Sequence, residues 1–479
     1  MSTGPSYQDS AAFELNYRDL RSINHAYRRL PLINGYPEIF SVFSGETIAI
    51  RAAHKLASKP IGNGGERANP RFVKSVDILD AVTGRRIHTY KPAVPTQIFE
   101  QAPASYKGDG AGYGCRISLD TTGWPAAVYE CVIHDSAGDN SQEIYFNIKP
   151  RSFDGFDLAC VLPTFTWHAY NWVGGGSFYS EGLGRLLTIT SQRPITRKRD
   201  NFIESALPFL TAFASAGVRY ACIDSWDLHH QLGPSGDIPV MALLTHDEYW
   251  SDSMRKAVNR FLRRAGGLLV FAGNVCWWKV SVRGNEITVD KTSKATGGLW
   301  SNHGKPEETT FLSSFRFGGY PVETAQRSPQ RAPYVAHLSA SEAYDSGGVK
   351  IVMPGHPIFD GIRLPPDNCF GADVPIMYRE IDGIPLNDDG TVNRKQYKAD
   401  KVAPRIIATG LALHGALLRR VGVVVEASVR GGHVLHMGTF GWSLGLMQKN
   451  VAVKQIIINA YSYVRGLSGR HLDETLTGV

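Results

Sequence analysis

The chain has 479 residues, 43% hydrophobic and 10% aromatic, more than one core absorbs, which predicts two domains with room for a third. Lys and Arg outnumber Asp and Glu by only 51 to 44. The basic positions Arg18, Arg21, Arg28, Arg29 and Arg197-Lys198-Arg199 lack interleaved aromatics or a nucleic-acid motif, so no nucleic-acid partner is expected.

Residues 1–33 read as an N-terminal arm, because Arg18 to Leu32 mixes Leu, Ile, Tyr and Arg without clean periodicity. The polar stretch Met1 to Ser10 lacks the basic and apolar parts of a signal peptide. No apolar run reaches the roughly 20 residues of a membrane span, so a cytoplasmic protein without a membrane partner is expected. From 34 to 152 the pattern is β. Thr47-Ile-Ala-Ile-Arg51 alternates, as does Glu143 to Ile148, with Ile144, Phe146 and Ile148 on one face. Turn residues at Asp80 to Gly84, Asp109-Gly110 and Asp135 to Asn140 punctuate it, and short strands at this spacing predict an immunoglobulin-like sandwich.

From 153 to 479 the grammar is α/β. Leu158 to Leu162, Arg219 to Asp224, Val240 to Leu244 and Leu268 to Ala272 read as buried strands. Ser205 to Ala216 and the stripe Met254, Val258, Phe261, Leu262 read as the helices between them. Alternation of this kind predicts a mostly parallel, doubly wound sheet covered on both faces. Residues 280–400 are rich in Gly, Pro and polar residues and read as a large insertion. Val421 to Val425 and His433 to Gly438 predict two late strands, and Val451 to Val464 a last helix. The six cysteines, at 115, 131, 160, 222, 276 and 369, form no CxxC, which argues for reduced, mostly buried thiols and against thiolate-bound zinc.

Chemistry concentrates where strands end. Glu248, in His246-Asp247-Glu248-Tyr249, follows a buried strand and is either a ligand or base, or a charge near the next helix start. Tyr170 follows the first α/β strand and reads as site or packing, and His168 as site or surface. Asn274 ends the fourth strand after Gly273, where it could hold a substrate or an oxyanion, or bridge a loop. Lys279, after Trp277 and Trp278, is a weaker candidate. Tyr129, in Tyr129-x-Cys131 after Asp120 and Gly123, matches the corner tyrosine of immunoglobulin-like domains, whose hydroxyl bonds to backbone. There is no P-loop and no GxGxxG, since Gly174-Gly175-Gly176 lacks that spacing.

Several segments in this order resemble the large (beta) subunit family of N,N-dimethylformamidase. They are Pro163-Thr-Phe-Thr-Trp-His-Ala-Tyr-Asn171, His246-Asp-Glu-Tyr-Trp-Ser251, Gly266-Gly267, Gly273-Asn274 and Gly298-Leu299-Trp300. The resemblance covers about 35 to 479. It implies a glutamine-amidotransferase-like sheet behind the sandwich and a hydrolase acting on a small amide or formamide. It also implies a mononuclear, ferric iron held by Tyr129, Tyr170 and Glu248, with Glu380 as base and His246 and Asn274 beside it. His168, Trp277 and Lys279 would face the substrate, with Lys279 or Lys294 as the family's lysine. Phenolate and carboxylate are hard donors suited to ferric iron. A homo-oligomer, with or without a separate small subunit, is implied too. The family's large subunit carries a further lectin-like domain, where this chain has about 33 residues before the sandwich. Two readings stand beside the iron hydrolase: a carbohydrate- or partner-binding protein with a degenerate amidotransferase-like domain, and a zinc hydrolase on the same fold.

Overall fold

The computed structural model describes residues 30–55, 70–101, 110–141, 143–174, 177–179, 187–195, 201–231, 238–291, 297–321, 348–370, 376–377, 380–387, 390–399, 401–414 and 418–468. The arm expected over 1–33 falls almost wholly outside them, as do Lys294 and the Arg197 run. The chain is a mixed α/β molecule with several sheets and few helices.

Two sheets form first. One holds Ile33–Pro37, Thr47–Lys55, Glu100–Gln101 and Cys115–Asp120; the other runs Ser41–Phe43, Ile144–Lys149, Ala127–Asp135, Arg71–Asp80, Arg86–Tyr90. Alternation makes them half-buried. In Cys115–Asp120 the residues Cys115, Ile117 and Leu119 are buried while Arg116, Ser118 and Asp120 are exposed. Inward residues of both sheets, among them Ile50, Ile78, Ile117, Cys131 and Phe146, share one apolar core.

The largest sheet has eleven strands. Its first five, in the order Tyr220–Asp224, Leu158–Leu162, Val240–Leu244, Gly267–Phe271 and Gly432–His436, are parallel. Every residue of Leu158–Leu162, Val240–Leu244 and Gly267–Phe271 is buried, as expected of strands covered on both faces. Alternate residues serve two cores: Ala159 and Val161 face one, Leu158, Cys160 and Leu162 the other. The helix Asp252–Leu262 covers the first face, Leu207–Ser215 and Val451–Leu467 the second.

The doubly wound parallel expectation holds only for that half. Beyond Gly432–His436 the sheet continues antiparallel through Leu418–Val429, Ile381–Gly383, Ser314–Pro321, Arg405–His414, Val349–Ile351 and Cys369–Phe370. The 280–400 segment is therefore sheet as well as loop. Three of its strands in the large sheet, Val349–Ile351, Cys369–Phe370 and Ile381–Gly383, are too short to show a period, and backbones there meet where a side chain would block them. A Cβ on Gly318 would lie 1.8 Å from the Ile381 carbonyl oxygen. The helix expected over Ser205 to Ala216 is two helices, Phe202–Ser205 and Leu207–Ser215, with Pro208 in the first turn of the second, where its missing N–H costs nothing. All six cysteines are free, five of them buried. No helix among the described residues is long and apolar enough to cross a membrane.

The two halves are tied by buried polar contacts. Asn147 Nδ2 donates to the Cys222 carbonyl at 2.8 Å and to Ser41 Oγ at 2.9 Å. Lys149 Nζ pairs with Asp227 Oδ1, and both residues are only 3% exposed. Removing one member of such a pair strands the other charge. Lys149→Met is expected to lower unfolding free energy by about 3–5 kcal/mol, read by urea denaturation; a change near zero would show the pair contributes nothing to docking.

Candidate metal centre

Glu248 stands at the focus of the strand ends. Thr245 leaves the strand Val240–Leu244 at φ 61°, in the left-handed region, and its N–H still bonds the Phe271 carbonyl at 3.0 Å. The chain thus turns sharply under the sheet edge and buries His246, Asp247 and Glu248 together. The Glu248 N–H donates to Thr166 Oγ1 at 3.0 Å, which locks it to the helix Thr164–Tyr170. Ser251, not Glu248, caps the next helix.

Two phenols reach this carboxylate. The Tyr170 hydroxyl, at the end of its helix, donates to Glu248 Oε2 at 2.9 Å. The Tyr179 hydroxyl donates to Oε1 at 2.6 Å. The two rings stack with centroids 4.4 Å apart. Tyr179 is held here by its neighbour Phe178, whose N–H bonds the Ala169 carbonyl at 3.0 Å. Burial, reinforced by Glu248, holds both phenols well above their ordinary ionisation. Burial also raises the Glu248 carboxyl, with Lys291 and His246 offsetting part of that rise. Lys291 is 7% exposed, bonds the Tyr249 hydroxyl and lies 3.5 Å from the Tyr179 ring centroid.

Glu380 closes the other side. His246 Nε2 lies 2.7 Å from Glu380 Oε2 and 3.5 Å from Glu248 Oε2, and Asn274 Nδ2 donates to Glu380 Oε2 at 3.1 Å. This carboxylate comes from the far part of the chain through one backbone contact: a Cβ on Gly273 would sit 2.1 Å from the Glu380 carbonyl oxygen. Asp382 fixes the same turn. Its carboxylate accepts from Asn274 N–H at 2.7 Å and Val275 N–H at 3.2 Å, and His436 Nε2 lies 3.3 Å from it. Asn274 itself sits at φ 55°, and its Oδ1 is buried with no partner among the described residues. Tyr170, Tyr179 and Glu380 keep some exposure, so the cluster opens on their side.

Of the residues expected from sequence, Tyr170, Glu248, His246, Asn274 and Glu380 meet here. Tyr129 does not. Its hydroxyl donates to the Pro125 carbonyl at 2.7 Å, and its ring packs on Trp124 and Phe146 in the apolar core shared by the first two sheets. The corner geometry consumes the hydroxyl, and burial pushes its ionisation up. Tyr179 stands beside Tyr170 instead. The only sequence signal for it is an aromatic pair, Phe178-Tyr179, directly after the glycine run. Lys279 pairs with Asp252 at 3.1 Å, and Trp277 packs on Phe315; neither touches the cluster, and Lys291 is the lysine beside it. His168, 5% exposed and pushed down to about 3 by burial and Arg193, lines a different cavity. His54, Asp135 and Asp139 approach one another within 4.8 Å elsewhere, but Arg71 already bridges both carboxylates.

The family described as "N,N-dimethylformamidase beta subunit-like, C-terminal" matches residues 95–454. No curated protein matches the chain. Among solved structures, two variants of superoxide reductase (neelaredoxin) from Ignicoccus hospitalis align at 8% and 10% identity. They cover 26% and 25% of this chain and 86% and 82% of their own, with TM-scores of 0.15 and 0.13. Superpositions that poor carry no argument about fold or site.

Tyr129→Phe is expected to cost on the order of 1 kcal/mol, one buried hydrogen bond, in urea unfolding. The Tyr170 and Tyr179 hydroxyls should be undisturbed, as read by ultraviolet difference spectra on alkaline titration. A variant in which those two tyrosines titrate differently would place Tyr129 at the cluster after all.

Proposed function

Because the chain belongs to the N,N-dimethylformamidase beta subunit-like family, we propose that it hydrolyses the carbon–nitrogen bond of a small amide or formamide at the Glu248 cluster. The observation that carries this reading is the meeting of two phenol oxygens and one buried carboxylate from separate segments. We propose further that Tyr170, Tyr179 and Glu248 hold one ferric ion, with Tyr179 in the role the resemblance gave to Tyr129. The donor set fits such an ion. All three are hard oxygen ligands, and the phenols, held protonated by burial, lose their protons only to a strong Lewis acid. Two phenolates and a carboxylate balance a trivalent charge in a site where an unbalanced one is costly. Bound there, the ion supplies Lewis acidity that polarises an amide carbonyl and makes a water more acidic.

The chain's own groups do the rest. Glu380 Oε2 is occupied by His246 and Asn274, which leaves Oε1 to take a proton from the attacking water and deliver it to the departing amine. Asn274, clamped by Asp382, presents its unpartnered Oδ1 to a substrate N–H or to that water. Water plus amide gives carboxylic acid plus amine, with no other reactant.

Protein purified without chelators is expected to hold about one iron per chain and to show phenolate-to-iron absorption. A colourless preparation that takes up no iron would sink the metal assignment, and zinc in its place would favour the zinc hydrolase. A panel of formamides, acetamides, ureas and lactams, read by released amine, tests the reaction.

Glu248→Gln should lose the metal. Glu380→Gln should keep it and lose activity by about 10²–10⁴-fold, the usual worth of a general base. Metal loss in the Glu380 variant would mean that its role is ligation. Tyr179→Phe should shift or bleach the absorption band while Tyr129→Phe leaves it unchanged; the opposite pattern would restore the ligand set implied by resemblance.

A further inference from the structure

At one end of the paired N-terminal sheets the chain gathers a second set of groups able to ligate a metal. His54 is the next-to-last residue of the strand Thr47–Lys55 in one sheet. It meets Asp135, which ends the strand Ala127–Asp135 of the other sheet, and Asp139 in the turn that follows. One ring nitrogen of His54 and one carboxylate oxygen of each aspartate all lie within 4.8 Å of one another.

His54 is 4% exposed, and neither ring nitrogen has a hydrogen-bond partner among the described residues. A buried imidazole left unbonded is a standing cost to the fold. Burial, and after it the Arg71 charge, hold the ring below its ordinary pKa, so it stands neutral with a lone pair to give. Asp135 is fixed by its own turn. Its Oδ1 accepts the Ala137 and Asp139 N–H groups at 2.9 and 2.8 Å, which leaves Oδ2 for a cation. The Asp139 side chain is 38% exposed and opens the place to solvent. Glu100, exposed and beside His54 in the adjoining strand Glu100–Gln101, adds negative charge nearby.

A single positive charge already holds this point. Arg71, the first residue of Arg71–Asp80, sets one guanidinium nitrogen, Nη1, between Asp135 Oδ2, at 2.6 Å, and Asp139 Oδ2. That bridge sets one charge against two carboxylates and leaves His54 unbonded. A divalent ion at the same point balances both carboxylates and takes the imidazole lone pair as well. The Arg71 side chain is 26% exposed, so it has solvent to withdraw into. One imidazole with two carboxylates suits zinc and its neighbours, and disfavours magnesium and calcium, which take oxygen alone. Zinc bonds place neighbouring donors roughly 3–3.5 Å apart, a closure that the turn carrying Asp139 can supply.

We propose that His54, Asp135 and Asp139 form a divalent cation site of the zinc class, which staples the two N-terminal sheets together. Arg71 is its internal competitor and fills the place when no metal is bound. The protein gives three ligands and leaves a fourth position to water. This site is independent of any reading of the Glu248 cluster.

The test uses the full, untagged chain carrying Glu248→Gln, so that the other cluster has lost its carboxylate. It is stripped with chelator and titrated with zinc chloride by calorimetry. Saturable uptake of about one zinc per chain is expected, with magnesium and calcium at least about a hundredfold weaker. His54→Ala should weaken zinc by at least about tenfold, and so should Asp139→Asn, whose exposed position guards against a variant that merely fails to fold. Arg71→Met should tighten zinc by at least about tenfold, because the competitor is gone. Zinc should also raise the urea midpoint of the Glu248→Gln chain and leave that of its His54→Ala derivative unchanged. No saturable uptake overturns the proposal. Uptake that His54→Ala and Asp139→Asn leave intact does so too, since it assigns the ion elsewhere. Zinc held no more tightly after Arg71→Met overturns the competition and reduces the cluster to an ordinary ion pair.

Discussion

A carboxylate taken out of water has to be compensated on the spot, and Glu248, 2% exposed, is that carboxylate. Its compensation comes from every side: a phenol on each oxygen, a threonine hydroxyl under its backbone N–H, an imidazole at 3.5 Å and a buried lysine beyond the tyrosine rings. Apart from His246, two residues away, the partners come from three other segments, with Tyr170 and the threonine Thr166 on one helix. The helix Thr164–Tyr170, the loop carrying Tyr179 and the hairpin region around Lys291 are thereby held to one point. A single desolvation penalty thus organises the sheet edge, and the same crowding of oxygen atoms suits the cluster to a hard cation.

The supporting layer is polar and buried too. Asp382 holds two backbone N–H groups of the Asn274 turn and an imidazole, so the turn geometry does not rest on Asn274 alone. Asp247 is different. Both its oxygens are buried without partners among the described residues, and burial pushes its carboxyl up to about 7. A carboxyl raised that far is only partly ionised at neutral pH, so it adds less charge beside Glu248 than an ordinary carboxylate would.

Much of this was legible in the amino-acid order, for reasons that are local. Val240–Leu244 is an unbroken apolar run of strand length, and Ser251 heads an amphipathic helix, so the place of Glu248 between them follows from periodicity and capping. Tyr129 is instructive in the other direction. Its local spacing predicted a hydroxyl bound to backbone, and that is the contact present, whereas the role carried over by resemblance required it to leave its own core. Tyr179, Lys291 and Asp382 gave no usable signal. Their positions depend on the backbone bond from Phe178 to Ala169, on a cation seated over a ring, and on a glycine contact between residues more than a hundred apart, none of which leaves a period in sequence. In the antiparallel half of the large sheet Val421 to Val425 was legible within Leu418–Val429, whereas strands of two to three residues such as Ile381–Gly383 show no alternation.

The place of Gly432–His436 in the large sheet has a bearing on how the molecule is made. This late strand lies between the parallel strand Gly267–Phe271 and the antiparallel strand Leu418–Val429, and so joins the two halves of the sheet. During synthesis the parallel strands before it can pair as they emerge, but Ile381–Gly383 and its neighbours have no edge of that sheet to join until residue 436 is out. Glu380 is therefore expected to reach His246 and Asn274 only after that strand is in place. Closing so long a loop is slow, and until it closes the Glu248 carboxylate is gathered but its opposite wall is missing.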